Sequence, residues 1–200
     1  MSNDLDPVIH VVDDDDSLRR ALTRVLVSSG YTVRGYASAG DFLVAEPSDG
    51  PGCLLLDLEM PGPSGLDLQQ ALRRRGSPLP IVFMSAYGDI PRTVRAIKGG
   101  ASDFLVKPIE AQTLLAAVES ALAVDAGQFD CEPQAGLPVA ALSERESAVL
   151  RSIVAGKLNK QIGVDLALSE RTIKTCRAEL MRKLGARSLV ELVRVATPLL

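Results

Sequence analysis

The chain has 200 residues, of which 46% are hydrophobic and 24% charged, a composition typical of folded domains rather than of disordered segments. No apolar run approaches the ~20 residues that a membrane span requires. The acidic start of the chain lacks the basic-then-apolar pattern of a signal peptide. We therefore expect a cytoplasmic protein with no membrane partner. Three widely spaced cysteines and a single histidine argue against a zinc site or a disulfide framework.

Charge is distributed unevenly along the chain. Residues 1–140 hold 11 Lys and Arg against 19 Asp and Glu, a net charge of −8. Residues 141–200 hold 11 against 6, a net charge of +5. An acidic part followed by a basic part indicates that the basic part binds nucleic acid.

Strand-like and helix-like patterns alternate over the first 122 residues. The predicted strands are Val8–Val12, Thr32–Tyr36, Cys53–Leu56, Ile81–Met84 and Phe104–Val106. Apolar stripes with helical spacing lie between and after them, as at Leu18–Leu26 and Leu114–Leu122. Five such repeats predict a doubly wound, five-stranded parallel (βα)5 sheet with helices on both faces. We expect this α/β domain to span residues 1–123.

The remaining chain is predicted to be all-α. Residues 124–140 hold glycine and proline with little periodicity, which is typical of a linker. Ser143 and Glu146 then have the spacing of a capping box at the start of a helix. Further helices are predicted over Asn159–Leu166, from a cap at Ser169 to Leu184, and over Ser188–Ala196. Four short helices joined by tight turns predict a helix-turn-helix domain over residues 141–200.

Polar residues follow four of the five predicted strands. Asp13 and Asp14 follow the first strand, Asp57 the third, Ser85 the fourth and Lys107 the fifth. Ligands of doubly wound sheets bind at the carboxyl ends of the strands, so these side chains are predicted to converge. The acidic run that begins at Asp13 has an alternative interpretation, as a solvated face or the charged first turn of a helix. His10, within the first strand, is either packed or exposed at an edge.

Four segments resemble the receiver domain of two-component response regulators over roughly residues 7–122. They are VVDDD, LLLDLEMPGPSG, IVFMSAYGD and DFLVKP. The resemblance implies that a sensor histidine kinase phosphorylates Asp57 and that Lys107 pairs with the phosphoryl oxygens. It also implies that Ser85 and Phe104 switch conformation together, and that the Lys107–Pro108 peptide is cis. The implied Mg²⁺ ligands are Asp14 and Asp57, Asp13 through water, and the backbone carbonyl of Glu59.

Residues Leu142 to Ala196 resemble the LuxR-type helix-turn-helix domain, which together with the receiver points to the NarL/FixJ class. At 100° per residue, Ile173, Leu180 and Leu184 share one face of the third helix. The opposite face is basic and suits the DNA major groove; it holds Arg171, Lys174, Thr175, Ala178 and Arg182. The resemblance implies binding to double-stranded DNA to regulate transcription, with RNA polymerase as a further candidate partner. It also implies a homodimer on phosphorylation, formed near residues 89–98 and 103–106.

Three residues depart from the LuxR-type pattern. Cys176 stands where histidine is usual, Glu179 where asparagine is frequent, and Gly163 where a small alanine is usual. Glycine within a helix costs roughly 1 kcal/mol relative to alanine. These departures bear on affinity and target sequence rather than on the identity of the domain.

Three other functions fit the sequence less well than that of a regulator. A phosphatase of the haloacid dehalogenase type also uses a strand-end aspartate, but it needs a second aspartate two residues later, where this chain has Glu59. A receiver that acts without phosphate usually lacks part of the acid and lysine set, which is complete here. An RNA-binding output domain fits the LuxR-type pattern less well than a DNA-binding one. The sequence therefore favours a transcriptional regulator that is not an enzyme, beyond catalysing its own phosphoryl transfer and dephosphorylation.

Overall fold

The structure is a computed structural model that describes residues 6–47, 50–86, 90–125, 142–186 and 189–197. Residues 126–140, which make up most of the predicted linker and include Cys131, lie outside these ranges, as does Ser188, the first residue of the last predicted helix. The elements in chain order are β1 Val8–Val12, α1 Asp16–Ser28, β2 Thr32–Tyr36, α2 Ala39–Val44, β3 Gly52–Asp57, α3 Gly65–Arg74, β4 Ile81–Ser85, α4 Ile90–Lys98, β5 Asp103–Val106, α5 Ala111–Asp125, α6 Glu144–Val154, α7 Asn159–Asp165, α8 Glu170–Lys183 and α9 Leu189–Ala196.

The described parts of the chain form two compact units. One holds the five strands with α1, α2, α3 and α5, and the other groups α4 with α6 to α9. No helix among the described residues is long and apolar enough to span a membrane.

The five strands form one parallel sheet in the order β2-β1-β3-β4-β5. This confirms the predicted doubly wound sheet, with β3 and β4 reaching one residue further than predicted, to Asp57 and Ser85. The strand order reverses between β1 and β3, where such folds form a crevice for ligands. The register pairs Val12 with Leu56, so the residues that follow them, Asp13 and Asp57, lie side by side.

The three central strands, β1, β3 and β4, are buried on both faces, as is usual in a parallel sheet. On one face, strand residues such as Val11, Leu55 and Met84 pack against α1 and α5 in a single buried cluster. On the other face, His10 contacts Phe42 of α2. The polar side chains therefore lie at the strand ends of a sheet whose interior is buried.

Two of the C-terminal helices, α6 and α8, begin at their predicted caps. The Ser143 side chain accepts the Glu146 N–H while the Glu146 side chain accepts the Ser143 N–H, which is the predicted capping box of α6. Ser169 caps α8 by accepting the Thr172 N–H. Gly156 and Gly185 follow α6 and α8 with φ of 78° and 68°, in the left-handed region that glycine enters without a steric penalty.

Candidate functional site

The four aspartates that follow β1 make different contacts. Asp13 is fully buried and Asp14 is exposed, and their carboxylates lie with that of Asp57 so that one oxygen from each falls within 4.8 Å of the others. Asp15 instead caps α1, since its side chain accepts the N–H groups of Ser17 and Leu18. Both interpretations of the run therefore apply, each to different residues.

Asp16 belongs to the first turn of α1 and takes no part in the carboxylate group. It forms ion pairs of 2.7 Å with Arg19 and with Arg20 on the same helix. An acidic residue at this position also interacts favourably with the N-terminal end of the helix dipole. Asp16 is thus a helix-stabilising residue.

Lys107 links the two buried carboxylates of the site. Its Nζ lies 2.8 Å from Asp13 Oδ2 and 3.1 Å from Asp57 Oδ2. The side chain reaches this position because β5 pairs with β4 and the Lys107 N–H donates to the Ser85 carbonyl. The Lys107–Pro108 peptide is cis, as the resemblance implies.

The surroundings of Asp57 and Lys107 raise the pKa of both side chains. Burial raises the pKa of Asp57 above its ordinary range and the charge of Asp13 adds to this, while the Lys107 ammonium and the Glu59 N–H oppose it. Burial alone would lower the pKa of Lys107, but the hydrogen bonds and charges of Asp13 and Asp57 outweigh it and raise that pKa. Lys107 therefore remains a cation at neutral pH.

Ser85 and Phe104 lie on adjacent strands. Ser85 is the last residue of β4 and is buried, and its hydroxyl donates to the Ala86 carbonyl at 3.3 Å. Phe104 is half-buried in β5, opposite Phe83 of β4. The Ser85 hydroxyl can rotate toward a new acceptor, since its bond to a neighbouring carbonyl is long.

The residues at the strand ends match the chemistry of a cation-assisted phosphoryl acceptor. Asp13, Asp14 and Asp57 offer carboxylate oxygens, the hard donors that Mg²⁺ prefers. A carboxylate such as Asp57 is also a competent nucleophile toward phosphorus. The donor set therefore fits Mg²⁺.

Helix α8 has the predicted division into a buried and an exposed face. Ile173, Leu180 and Leu184 are buried, and Cys176 is buried beside them. The five residues predicted to face DNA are all exposed, namely Arg171, Lys174, Thr175, Ala178 and Arg182. These five residues comprise three cations and two small side chains, and Glu179 is exposed on the same helix.

Arg177 differs from the other cations of α8. Its guanidinium donates to Asn159 Oδ1 at 3.0 Å, which joins α8 to the start of α7. Lys183 pairs with Glu146 of α6 at 2.7 Å. Both cations are thus engaged in contacts between helices of the same unit.

Gly163 lies where the turn between α7 and α8 comes closest to α7. The Leu168 N–H donates to the Gly163 carbonyl at 2.7 Å. A Cβ added at Gly163 would lie 2.7 Å from the Leu168 carbonyl oxygen, closer than real Cβ contacts. The departure from alanine therefore matches a close backbone approach that the sequence pattern did not reveal.

Comparison with known proteins identifies the family. The response regulator receiver domain matches residues 9–119, and the luxR family of bacterial regulatory proteins matches residues 140–196. The chain belongs to the response regulators. It is 43% identical over 191 residues to the transcriptional regulatory protein FixJ of Azorhizobium caulinodans, covering 94% of this chain and 90% of that protein.

Two further relatives extend the comparison. The response regulator protein TodT of Pseudomonas putida is 41% identical, covering 94% of this chain and 84% of that protein. The crystal structure of full-length FixJ from B. japonicum has a TM-score of 0.58 and 40% identity, covering 96% of each chain. This response regulator is accordingly a transcriptional regulator with a receiver domain and a LuxR-type DNA-binding domain, rather than an enzyme.

Sequence reasoning about this response regulator missed one residue near the acidic site. Arg19 donates to the backbone carbonyl of Asp13 at 2.7 Å. The sequence shows Arg19 only as one of three arginines within α1. A side chain that bonds to a backbone carbonyl leaves no trace in hydrophobic periodicity, so only the fold reveals it.

Proposed function

We propose that this response regulator is switched by phosphorylation of Asp57 by a sensor histidine kinase in the cytoplasm. The observation that carries the proposal is the position of Asp57, buried at the end of β3, 3.1 Å from Lys107 and grouped with Asp13 and Asp14. Burial beside a fixed cation is a typical environment for a reactive carboxylate.

The chain's own residues account for the transfer. An Asp57 carboxylate oxygen forms the new bond to phosphorus, and the bond between phosphorus and the kinase histidine nitrogen breaks with its electron pair on that nitrogen. Lys107 then pairs with a phosphoryl oxygen as a point charge. Asp13 through water, Asp14, Asp57 and the backbone carbonyl of Glu59 would hold Mg²⁺. When bound, Mg²⁺ supplies positive charge that offsets the repulsion between the carboxylates and the phosphoryl group.

The switch is proposed to run from the phosphoryl group to Ser85 and then to Phe104. Ser85 would give up its 3.3 Å bond to the Ala86 carbonyl and donate to the phosphoryl group. Phe104 would move into the space that Ser85 leaves. A ligand shifts a population only by its differential affinity for the two states, and the hydroxyl donated in one state supplies that difference.

Dimer formation is the proposed readout of the switch. The resemblance implies an interface near residues 89–98 and 103–106. On β5, Val106 is 46% exposed and offers apolar surface next to the moving Phe104. Light scattering at tens of micromolar should show a dimer of the phosphorylated protein, and a persistent monomer would contradict this part of the proposal.

DNA binding is proposed for the exposed face of α8. Lys174 and Thr175 would contact base edges, Ala178 would allow close approach, and Arg171 and Arg182 would lie nearer the phosphates. The exposure of all five residues and the +5 charge of the C-terminal part support this assignment. RNA polymerase is a further proposed partner.

Phosphorylation is tested with a small phosphodonor and Mg²⁺, followed by mass spectrometry of the intact protein. We expect one added phosphoryl group, lost in Asp57→Asn and in the presence of a chelator. Asp41→Asn, a change of the same kind at an exposed residue of α2, should be labelled like wild type. Wild-type labelling of Asp57→Asn would refute the assignment.

A further inference from the structure

Asp13 is held from four directions, although only its carboxylate belongs to the proposed cation site. Its N–H donates to the Tyr36 carbonyl at 3.2 Å. Its two carboxylate oxygens accept from the Asp15 N–H at 2.9 Å and from Lys107 Nζ at 2.8 Å. Its carbonyl accepts from Arg19 at 2.7 Å. The first three contacts come from β2, from the residue that caps α1 and from Lys107 of the site. The fourth comes from Arg19, a side chain of α1 that is not part of the proposed site.

The Asp13 carbonyl belongs to the peptide unit that joins Asp13 to Asp14. A peptide unit is planar, so fixing the direction of its carbonyl fixes the backbone on both sides of it. The directions of the Asp13 and Asp14 side chains follow from that backbone. A donor to this one oxygen therefore orients two of the three carboxylates that group together.

Arg19 is well placed to hold this carbonyl. Its side chain is 17% exposed, and its second terminal nitrogen pairs with Asp16 at 2.7 Å. Its aliphatic stem lies over Gly35 of β2, where a Cβ would be 3.4 Å from Arg19 Cδ. The guanidinium is thus fixed by α1 on one side and by β2 on the other, so that its hydrogen bond has a defined direction.

We propose that Arg19 is a positioning residue that sets the orientation of the Asp13–Asp14 peptide and thereby the Mg²⁺ affinity of the site. This inference rests on the proposed function of the site. Residues that orient metal ligands change metal affinity typically by 10–100-fold when they are replaced. Arg19 acts through the backbone of the ligands, so we expect an effect near the lower end, about 10-fold.

The test compares two neighbouring arginines in the full-length protein. Arg19→Met keeps the apolar stem over Gly35 but removes the guanidinium. Arg20→Met is the matched control, since Arg20 is 75% exposed and also pairs with Asp16. Mg²⁺ alone is titrated while the amide resonances of Asp14 and Asp57 are followed by NMR. We expect the Kd of Arg19→Met to rise about 10-fold and that of Arg20→Met to stay at the wild-type value.

A second readout separates positioning from a general loss of structure. With a small phosphodonor, Arg19→Met should need more Mg²⁺ for half-maximal labelling of Asp57 but should reach a near wild-type rate at saturating Mg²⁺. Arg19→Lys, which keeps a cation but forms fewer hydrogen bonds, should fall between wild type and Arg19→Met. If Arg19→Met does not fold, Arg19→Lys decides: a raised Kd supports the proposal and a wild-type Kd overturns it.

The outcomes distinguish the proposed role of Arg19 from the proposed phosphorylation of Asp57. Equal Kd values for folded Arg19→Met and Arg20→Met would overturn the role of Arg19 and leave the site intact. A wild-type protein whose Asp14 and Asp57 amides do not respond to Mg²⁺, or whose labelling survives in Asp57→Asn, would overturn the proposed function itself.

Discussion

His10 is predicted to make the receiver less stable in mild acid. The imidazole is 4% exposed, its Nδ1 lies 3.2 Å from the Tyr36 hydroxyl, and its ring contacts Phe42. Burial, followed by the charge of Arg34, lowers the pKa of His10 from 6.5 to about 4. Between these pH values the unfolded chain binds a proton that the folded chain excludes. The contribution of the neutral His10 side chain to the free energy of unfolding is therefore fully present above pH 6.5 and is lost as the pH falls toward 4.

The size of the effect follows from the two pKa values. A shift from 6.5 to about 4 corresponds to a loss of about 2 kcal/mol between pH 8 and pH 5. Arg34 is exposed, and solvent screens its contribution. We therefore expect His10 to account for about 1–2 kcal/mol of the free energy of unfolding over this range.

The measurement compares wild type with His10→Asn, whose amide takes the place of Nδ1 without titrating. Urea unfolding at pH 8 and pH 5 is followed by tyrosine fluorescence, which reports on the N-terminal part because all three tyrosines lie within the first 87 residues. Wild type should lose about 1–2 kcal/mol more than the variant. Tyr36→Phe should keep the wild-type pH dependence, since burial is the main cause of the shift.

An NMR titration gives an independent check. The chain has one histidine, so its imidazole resonance is assigned without ambiguity. A midpoint near 6.5, or parallel losses of stability in wild type and His10→Asn, would show that the imidazole is not held neutral by burial.

Three further predictions concern the C-terminal unit. Gly163→Ala should not bring the ~1 kcal/mol expected from helix propensity, because its Cβ would meet the Leu168 carbonyl oxygen; thermal unfolding that shows the full gain would contradict this. In the wild-type protein, chiefly the hydrogen bond from Lys183 lowers the pKa of Glu146 to about 2. Glu146→Gln keeps the capping box but loses this ion pair. Its stability should fall below wild type at pH 7, and the difference should disappear as the pH falls from about 4.5 toward 2; a constant gap would refute the ion pair. Lys174→Ala should cost ~1–3 kcal/mol on a specific DNA site and far less on random DNA, whereas Arg182→Ala should weaken both and reduce the salt slope by ~1. An unchanged specific-to-random ratio for Lys174→Ala, measured across a salt series, would show that Lys174 does not read bases.

The sequence predicts the sheet and the meeting of strand-end residues because parallel strands place their carboxyl ends at one edge. Asp13, Asp57 and Lys107 are brought together in this way. The double pairing of Lys107 could not be predicted, since it depends on the length and direction of a side chain that extends from the end of β5 to the ends of β1 and β3. His10 could be assigned neither to the interior nor to an edge, because the choice depends on β1 lying between β2 and β3.

Among the features of the helices, those that depend on contacts between elements could not be predicted from the sequence either. A capping box is read from spacing alone, so the start of α6 was predicted at Ser143. Gly163 and Arg19 depend instead on the distance between a residue and the backbone of another element. Such distances are properties of the assembled fold, and no local pattern encodes them.

The run Asp13–Asp16 shows how little the chemical type of a residue says about its tolerance to change. Four identical side chains follow one another, yet they provide a buried carboxylate beside Asp57, an exposed carboxylate in the same group, a helix cap and a helix-surface ion pair. An alanine scan through the run would therefore give distinct phenotypes at sites one residue apart. Deleting any one of the four would leave three acids in place, but each residue beyond the deletion would move into its neighbour's position. In this segment, length is constrained more strictly than composition.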